Sequence, residues 1–150
     1  MNTEESIIIY TDGGCTGNPG PGGWACVLLI DGQEHHFSGG EAETTNNRME
    51  MTAVISALEK IQEMGLSPKA QIYTDSQYVK NGLTVWIHGW IRNGWKTASK
   101  QPVKNKDLWL RMKGLCDQFE LSWHWVKGHS GDKYNELCDS LVEKERLSFQ

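Results

Sequence analysis

The order of strand-like and helical segments most constrains how this sequence can fold. Three strand-like runs precede the first helical run, and helices and strands alternate after it. The second and third runs are joined by Asp31-Gly32, a dipeptide typical of β-hairpins, so the first three strands are expected to form an antiparallel meander. Strands that are separated by helices can pair in parallel. The sequence therefore predicts an α/β fold, with one five-stranded mixed sheet of three antiparallel and two parallel strands flanked by helices.

Hydrophobic periodicity and the residues that flank it predict the bounds of each element. The predicted strands are Ile7–Thr11, Trp24–Ile30, Glu34–Ser38, Ala70–Thr74 and Ser122–Val126. The first helix is expected to be capped by Thr44 or Thr45 and to stop at Gly65. Later helices are predicted at Ser76–Leu83, Lys106–Phe119 and about Lys133–Leu147. A chain of this length can bury one sizeable core, so residues 1–150 are expected to form a single domain.

Charge is distributed unevenly along the chain. The segment from Ser76 to Lys106 holds six basic residues and no acidic one, whereas all 19 acidic residues and the other nine of the 15 basic residues lie elsewhere. The formal net charge of −4 therefore conceals a segment of +6 beside a remainder of −10. Such separation predicts a polyanionic partner that is held at one place on the surface.

Several classes of protein are disfavoured by what the sequence lacks. Its longest apolar run, Trp24–Ile30, is too short to cross a bilayer, and the N-terminal residues have neither the basic nor the apolar region of a secretion signal. The cysteines at positions 15, 26, 116 and 138 form no Cys-x-x-Cys pair, so neither a zinc site nor a disulfide framework is predicted. We therefore expect a cytoplasmic protein without a membrane partner.

Two carboxylates follow strand-like runs in the same way. The runs IIIYTDGG and QIYTDSQY share the tripeptide Tyr-Thr-Asp, which places Asp12 and Asp75 at equivalent positions. Either aspartate alone would be interpreted as a turn or cap residue. Because the carboxyl ends of parallel strands meet at one edge of a sheet, where ligands generally bind, the two aspartates are expected to face one another.

Glu50 and Asp139 are the other acidic residues of interest. Glu50 lies within the apolar stripe of the first helix rather than on its solvent face. An ion pair with Arg48, or a capping role near the helix start, would explain Glu50 without a function. Asp139 lies beside the stripe of the last helix, and periodicity alone assigns it no role. A group of oxygen ligands suits Mg²⁺ or Mn²⁺ better than zinc or copper.

Five segments carry a resemblance to a known family. YTDGGCTGNPGPGGWA, TTNNRMEM, YTDSQYV, GWKTASKQPVKNKDLW and WVKGHSGDKYNELCD occur in this order over nearly the whole chain. In order and spacing they resemble bacterial type I ribonuclease H. The resemblance implies the ribonuclease H fold, and it implies four metal-binding catalytic carboxylates at Asp12, Glu50, Asp75 and Asp139. It thereby gives Asp139 a role that periodicity does not.

The resemblance implies a hydrolytic endonuclease. Family members cut the RNA strand of an RNA–DNA hybrid with two Mg²⁺ ions, for which Mn²⁺ can substitute, and leave 5′-phosphate and 3′-hydroxyl ends. One ion would be held by Asp12 and Asp139. The other would be held by Asp12, Glu50 and Asp75. His129 lies in a Gly/Ser loop, where a lone histidine is more often idle, but it matches a family histidine that assists proton transfer or product departure. No small-molecule cofactor is implied, and a monomer is expected.

Polar residues near the carboxylates are implied to contact the substrate. Asn18, Asn46 and Gln77 match family positions that touch the RNA strand in the minor groove, and Cys15 and Asn47 flank them. Asn18 could instead serve the backbone of its Gly-Asn-Pro-Gly turn. The residues that match a phosphate pocket for the DNA strand are Thr45 and Asn105.

The segment of about residues 84–104 matches the protruding basic handle of the bacterial enzymes. The residues predicted to bind substrate there are Trp86, Trp90, Trp95, Lys96 and Lys104. The tryptophans could instead form a small core for the protrusion, which is the interpretation we favour for Trp86. Ile91-Arg92-Asn93 stands where a run of lysines and arginine is common in the family, so weaker hybrid binding is expected.

Other functions are less well supported by the sequence. The glycine-rich segment after the first strand lacks the G-x-G-x-x-G and G-K-[ST] patterns of nucleotide-binding loops, and Pro19 and Pro21 oppose a helix directly after it. GHSGD misses the register of a nucleophile elbow by one residue. A hybrid-binding module without catalysis stays open, although all four carboxylates and His129 are present. Transposase and resolvase nucleases share the fold, but the handle and TTNNRMEM fit ribonuclease H better.

Overall fold

A computed structural model describes residues 7–126 and 133–149 of the chain. Its strands are β1 (Ile7–Cys15), β2 (Gly20–Ile30), β3 (Gln33–Thr44), β4 (Lys69–Thr74) and β5 (Glu120–Trp125). They form one mixed sheet in the order β3-β2-β1-β4-β5, which confirms the predicted architecture. β2 pairs antiparallel with β1 and β3, and β4 pairs parallel with β1 and β5.

The glycine-rich segment that was expected as a connection is largely strand. β1 continues to Cys15, well beyond its hydrophobic run. The glycines let helices approach the sheet, because a Cβ at Gly13 would lie 2.4 Å from the carbonyl carbon of Met49 in the first helix. A Cβ at Gly23 would lie 2.6 Å from the carbonyl oxygen of Val142 in the last helix. β1 and β2 were predicted too short because glycine has no side chain, so hydrophobic periodicity cannot detect strand residues in a glycine-rich segment.

The helices are α1 (Asn46–Glu63), α2 (Gln77–Asn81), α3 (Ile87–Arg92), α4 (Lys106–Cys116) and α5 (Lys133–Leu147). The predicted cap and stop of α1 are confirmed, since Thr45 Oγ1 accepts a hydrogen bond from the backbone N–H of Arg48 and Gly65 has a φ of +67°. α5 has the predicted bounds, whereas α4 ends at Cys116 rather than Phe119 because the chain turns there toward β5. In residues 7–126 and 133–149, no helix is long and apolar enough to cross a membrane.

The helix predicted at Ser76–Leu83 is wrong in its extent. α2 passes through a π-helical turn, Gly82–Trp86, directly into α3, so the helical segment reaches Arg92. Glycine is required at position 82 because a Cβ there would lie 2.0 Å from the ring of Trp109 in α4. Gly82 therefore marks a close approach of two elements and not the end of a helix.

Helices cover both faces of the sheet. α1 and α4 pack on one face, where Ile9, Leu28 and Ile72 belong to the larger core. α5 packs on the other face, against Ala25 and Val27. Successive residues of a strand point to opposite faces, so β1 and β2 contribute to both cores. The end of β1 thus lies between α1 and α5, and both helices can place side chains beside it.

Candidate active site

The register of the sheet brings two aspartates to the same level. The last parallel pair of β1 and β4 is Tyr10↔Tyr73, and the same offset leads from Asp12 to Asp75. Asp75 directly follows β4, as predicted. Asp12 does not end its strand, because β1 leaves β4 there but continues beside β2, where Asp12 pairs with Ala25. Both carboxylates therefore lie where the parallel pair of strands comes to its end.

Glu50 of α1 reaches the same point from the helical layer. The absence of a Cβ at Gly13 lets the backbone of α1 lie directly over β1. One carboxylate oxygen of Asp12, one of Glu50 and one of Asp75 all lie within 4.8 Å of one another. Three segments that are remote in sequence thus bring Asp12, Glu50 and Asp75 together, and we call these three residues the carboxylate cluster.

Glu50 is the buried member of the carboxylate cluster. Only 7% of the residue is exposed, and this burial is the largest cause that raises the pKa of its carboxyl group well above the ordinary value. The negative charges of Asp12 and Asp75 raise that pKa further. The Oε2 atom is buried and accepts no hydrogen bond from any residue in the described part of the chain. A buried carboxylate oxygen without a donor is costly, so a cation is expected beside it.

Arg48 does not neutralise Glu50. Its guanidinium donates to the carboxylate of Asp107 in α4 at 2.9 Å and to Oδ1 of Asn105 at 3.1 Å. The hydrogen bond from Arg48 is the main cause that lowers the pKa of Asp107. Thr45, not Glu50, occupies the capping position of α1. Both explanations of Glu50 that need no function are therefore wrong.

Asp139 of α5 lines the same cavity as the carboxylate cluster. This cavity has a volume of about 320 Å³, and its wall also includes Glu143 and Arg146 of α5. All four predicted carboxylates therefore meet at one cavity. Carboxylate oxygens in a polar cavity are the ligands that hard divalent cations such as Mg²⁺ and Mn²⁺ prefer, and the unpartnered Oε2 atom of Glu50 fits such a ligand.

His129 lies outside the described residues, as do the glycines at positions 128 and 131. In the sequence it precedes α5, the helix that carries Asp139. The assignment of His129 as a catalytic histidine stays a prediction from the resemblance.

Some of the residues predicted to touch the RNA strand lie at the cavity itself. Cys15 and Asn46 line it, and burial is the main cause that raises the pKa of the Cys15 thiol. The side-chain oxygen of Asn18 accepts a hydrogen bond from the backbone N–H of Asn46 at 2.9 Å. Asn18 therefore ties the β1–β2 connection to the first turn of α1, which is a structural role of its own. Asn47 and Gln77 lie in the first turns of α1 and α2.

Thr45 and Asn105, predicted as a phosphate pocket, are connected through Arg48. Thr45 Oγ1 accepts from the Arg48 backbone N–H, and Asn105 Oδ1 accepts from the Arg48 guanidinium. Asn105 donates to the Tyr78 hydroxyl oxygen at 3.0 Å, and the Trp109 indole N–H donates to the same oxygen at 3.3 Å. These contacts join the N-terminus of α1 to α2 and α4. Sequence patterns gave no signal for Arg48 and Tyr78 here, because their partners are remote along the chain.

The tryptophans of the predicted handle form one cluster with α4. The ring centroid of Trp90 lies 5.9 Å from that of Trp86 and 6.1 Å from that of Trp95. It also lies 5.4 Å from that of Trp109 in α4. The small-core interpretation thus describes the packing of all three, although Trp86 is 38% exposed, and their contact with substrate stays a prediction. The exposed basic residues of this segment are Arg92, Lys96, Lys100 and Lys104.

Two charged residues of α5 line the cavity without any prior signal from the sequence. Glu143 and Arg146 follow Asp139 at spacings that lie on one face of a helix. They could therefore be found only after Asp139 was accepted as a site residue. Among the described residues that line the cavity, Arg146 is the one basic residue.

The chain is similar to ribonucleases over nearly its whole length. A family model described as RNase H matches residues 4–146. A ribonuclease HI of Neisseria meningitidis serogroup B is 52% identical over 145 residues, which are 97% of this chain and 98% of that protein. A ribonuclease H of Hyphomonas neptunium is 53% identical over 144 residues, which are 96% of this chain and 94% of that protein.

Solved structures of similar proteins have the same fold. The crystal structure of LC9-RNase H1, a type 1 RNase H with the type 2 active-site motif, matches with a TM-score of 0.84 at 30% identity and covers 96% of this chain and 73% of that one. LC11-RNase H1 in complex with RNA/DNA hybrid matches with a TM-score of 0.70 at 27% identity and covers 95% and 98%. The predicted fold class is thus confirmed.

Proposed function

This chain belongs to the ribonuclease H family and is an enzyme that cleaves RNA in RNA–DNA hybrids, and we propose that it does so with two divalent cations held in the cavity of the carboxylate cluster. Mg²⁺ is the proposed ion, with Mn²⁺ as a substitute. The proposed products carry 5′-phosphate and 3′-hydroxyl ends.

The observation that carries this proposal is the geometry of the carboxylate cluster. Three carboxylate oxygens within 4.8 Å of one another, on a strand, a helix and the end of a second strand, would repel each other without a counter-charge. One of the three groups is buried, with an oxygen that accepts no hydrogen bond within residues 7–126 and 133–149. A fold that holds acidic groups in this way gains from a bound divalent cation.

Each carboxylate has a proposed task. Asp12 would contact both cations, since β1 packs against both α1, which carries Glu50, and α5, which carries Asp139. Glu50 and Asp75 would complete the ligands of one cation, and Asp139 those of the other. When bound, the cations supply activation of the attacking water and stabilisation of charge on the leaving 3′-oxygen. The chain's own contribution is to fix the carboxylate oxygens on a sheet and two helices, so that they need not rearrange during the reaction.

We propose that the two strands of the hybrid contact different parts of this surface. The RNA strand would run past the β1–β2 connection and the first turns of α1 and α2, which carry Asn18, Asn46 and Gln77. The DNA strand would lie at Thr45 and Asn105, beside the exposed lysines of the handle. The contacts that join Thr45 and Asn105 through Arg48 support a single pocket at this place.

The proposed function is tested with a hybrid that is labelled separately on each strand. We expect cleavage of the RNA strand only, dependent on Mg²⁺, with single-stranded RNA, duplex RNA and duplex DNA left intact. The ends of the products are identified by phosphatase treatment and ligation. Hybrid binding without cleavage, both with and without Mg²⁺, would instead support a module that has kept the fold and lost the chemistry.

Replacement of His129 by alanine is expected to slow turnover without abolishing it. Acid–base groups typically contribute roughly 10²–10⁴-fold to a rate, and the carboxylates would remain in place. The measurement is kcat under multiple-turnover conditions, with His36→Ala, an exposed residue of β3, as the matched control. An unchanged kcat in His129→Ala would remove this histidine from the mechanism.

Replacement of Lys96 and Lys104 together by glutamine is expected to weaken hybrid binding and its dependence on salt. Each lysine that contacts a phosphate releases about one counterion, so the slope of log affinity against log salt should fall by up to about 2. Lys60 and Lys69, which form ion pairs with Glu63 and Glu120 outside the handle, provide the control double variant. A slope equal to that of the unmodified protein would exclude the handle as a binding surface.

We further propose that the chain acts as a monomer in the cytoplasm. All four carboxylates come from one chain, so the proposed site needs no second copy. Light scattering of the purified protein tests the oligomeric state, and a stable dimer would contradict this part of the proposal.

A further inference from the structure

Arg146 is a basic residue in a cavity whose other charged residues are acidic. Among the described residues, the carboxylate cluster, Asp139 and Glu143 give the cavity its negative charge, and Arg146 lies on the same wall as Asp139. A nucleic acid strand that enters this cavity is itself a polyanion, with one charge on each phosphate. A cation on the wall of the cavity therefore faces both the carboxylates and the incoming phosphates.

The backbone at Arg146 is held firmly against the sheet. A Cβ at Gly23 of β2 would lie 3.1 Å from the backbone nitrogen of Arg146, so the helix lies in direct contact with the strand. The neighbouring Glu145 accepts a hydrogen bond from the Ser38 hydroxyl of β3 at 2.6 Å. The start of the arginine side chain is thus fixed by packing and by a hydrogen bond on the next residue.

The guanidinium is also oriented at its far end. Its Nη1 atom donates a hydrogen bond to Thr16 Oγ1 in the β1–β2 connection. The backbone N–H of Thr16 donates to the Pro21 carbonyl oxygen at 2.8 Å, which closes that connection on itself. Arg146 therefore ties α5 to the β1–β2 connection, the segment that carries Asn18.

Within residues 7–126 and 133–149, most of the donors of this guanidinium remain available to a ligand. An arginine has five N–H donors, of which Thr16 takes one. The Nη2 atom lies 4.0 Å from the Glu143 carboxylate, which is too far for a hydrogen bond. The side chain is 27% exposed, so it is neither buried in the core nor free in solvent. The guanidinium is planar, its Nη1 atom is bound to Thr16, and its Nη2 atom has N–H groups that can still donate. This arrangement suits binding of a phosphate through two hydrogen bonds.

We propose that Arg146 binds a backbone phosphate of the strand that is cut, and that Thr16 holds the guanidinium in position for this contact. The inference rests on the proposed function, because it takes the cavity of the carboxylate cluster as the place where the strand is cut. It assigns a substrate-binding role to a residue of the last turns of α5, beyond the predicted carboxylate, amide and handle positions.

Arg146→Met and Arg146→Lys provide the test, with binding and turnover measured separately. We expect Arg146→Met to raise KM at least about tenfold, as loss of charged hydrogen bonds does, while kcat changes little. Binding is measured on an uncut hybrid by adding Arg146→Met to the Asp12→Asn variant. There the slope of log affinity against log salt should fall by about 1. Arg146→Lys should keep the slope but lose part of the affinity, because lysine retains the charge without the fork.

Thr16→Val and Arg111→Met are the matched controls. Thr16→Val removes only the acceptor that orients Arg146, so we expect a smaller rise in KM and an unchanged salt slope. Arg111 of α4 pairs with Glu59 at 2.8 Å away from the cavity, and its replacement should leave KM and the slope unchanged. Thermal unfolding of each variant identifies losses that come from folding.

The outcomes separate this inference from the proposed function. If the unmodified protein cuts the hybrid and Arg146→Met has the same KM and salt slope, the phosphate contact is wrong and the proposed function stands. If Arg146→Met lowers thermal stability without a change in slope, the arginine is only structural and the inference is again overturned. If Asp12→Asn cuts the hybrid at the full rate, the proposed function itself fails.

Discussion

The Asp12→Asn variant is expected to lose nearly all cleavage of the RNA strand while it keeps most of its affinity for the hybrid. Asp12 is the residue proposed to contact both cations, so its charge acts on the attacking and the leaving oxygen together. Removal of one such electrostatic group lowers kcat by roughly 10²–10³-fold in comparable sites, and a group that acts on both cations should cost at least the upper value. Asparagine has nearly the same shape, so the pairing of Asp12 with Ala25 in the sheet is retained. Single-turnover cleavage and fluorescence anisotropy with the same hybrid measure the two quantities.

Asp117→Asn is the matched control for this variant. Asp117 is exposed at the end of α4, where it pairs with Lys113 at 2.7 Å, and an exposed ion pair of this kind contributes little to stability. It should therefore cleave at the unmodified rate. Cleavage by Asp12→Asn at that same rate would remove Asp12 from the site, and loss of hybrid binding in parallel with cleavage would indicate misfolding instead.

The Glu50→Gln variant is expected to be inactive and, in the absence of divalent cations, more stable than the unmodified protein. Glutamine is uncharged, and it removes both the cost of burying the carboxylate and the repulsion from Asp12 and Asp75. Because glutamine is still polar, the gain comes from the lost charge, and relief of one uncompensated buried charge is worth at least roughly 1–3 kcal/mol. For a protein of this size the melting temperature should rise by about 2–4 °C per kcal/mol. Thermal unfolding in EDTA measures the gain.

The sign of the pH dependence follows from the raised pKa of Glu50. At pH values below the ordinary carboxyl pKa, near 4, the group is protonated in both the folded and unfolded states and costs nothing. As the pH rises above that value, the unfolded chain releases the proton more readily than the folded protein does, so folding stability falls. The stability advantage of Glu50→Gln over the unmodified protein should therefore grow from acidic toward neutral pH.

Divalent cations should reverse the order of stability. A cation that binds only the folded state stabilises it by about 2.7 kcal/mol at a concentration one hundred times its Kd. The unmodified protein should gain more from Mg²⁺ than Glu50→Gln, which has lost a ligand. Glu63→Gln, an exposed change on the same helix, serves as the control. If Glu50→Gln were no more stable than the unmodified protein in EDTA at any pH, burial of the Glu50 carboxylate would not destabilise the folded protein.

The sequence located the carboxylates best where a periodic pattern was interrupted. The Tyr-Thr-Asp repeat predicted that Asp12 and Asp75 lie at the same level of the sheet. Paired residues of two neighbouring parallel strands differ by a constant residue number, so two runs that both carry Tyr-Thr-Asp can align their aspartates. Glu50 was detectable because one acidic residue lies within an apolar stripe. Asp139 had no such signal, since its approach to the cavity depends on how closely α5 packs at Gly23, which is a tertiary contact. Only the resemblance of motifs supplied it.

Contacts between segments remote in sequence were the least predictable part. The nearest acidic residue to Arg48 along the chain is Glu50, yet the arginine pairs with Asp107 of α4. The partner is set by the direction in which the side chain leaves α1, and sequence distance carries no information about it. Arg146 illustrates the same limit, because its acceptor, Thr16, lies at the other end of the chain.

The location of bound Mn²⁺ tests the central claim most directly. Crystals of the Asp12→Asn variant cannot serve here, so the unmodified protein would be crystallised with a hybrid whose RNA cannot be hydrolysed, and anomalous scattering from Mn²⁺ recorded. The account predicts two anomalous peaks within coordination distance of the oxygens of Asp12, Glu50, Asp75 and Asp139. Peaks only elsewhere on the protein, in a preparation that cleaves hybrids with Mn²⁺, would contradict it.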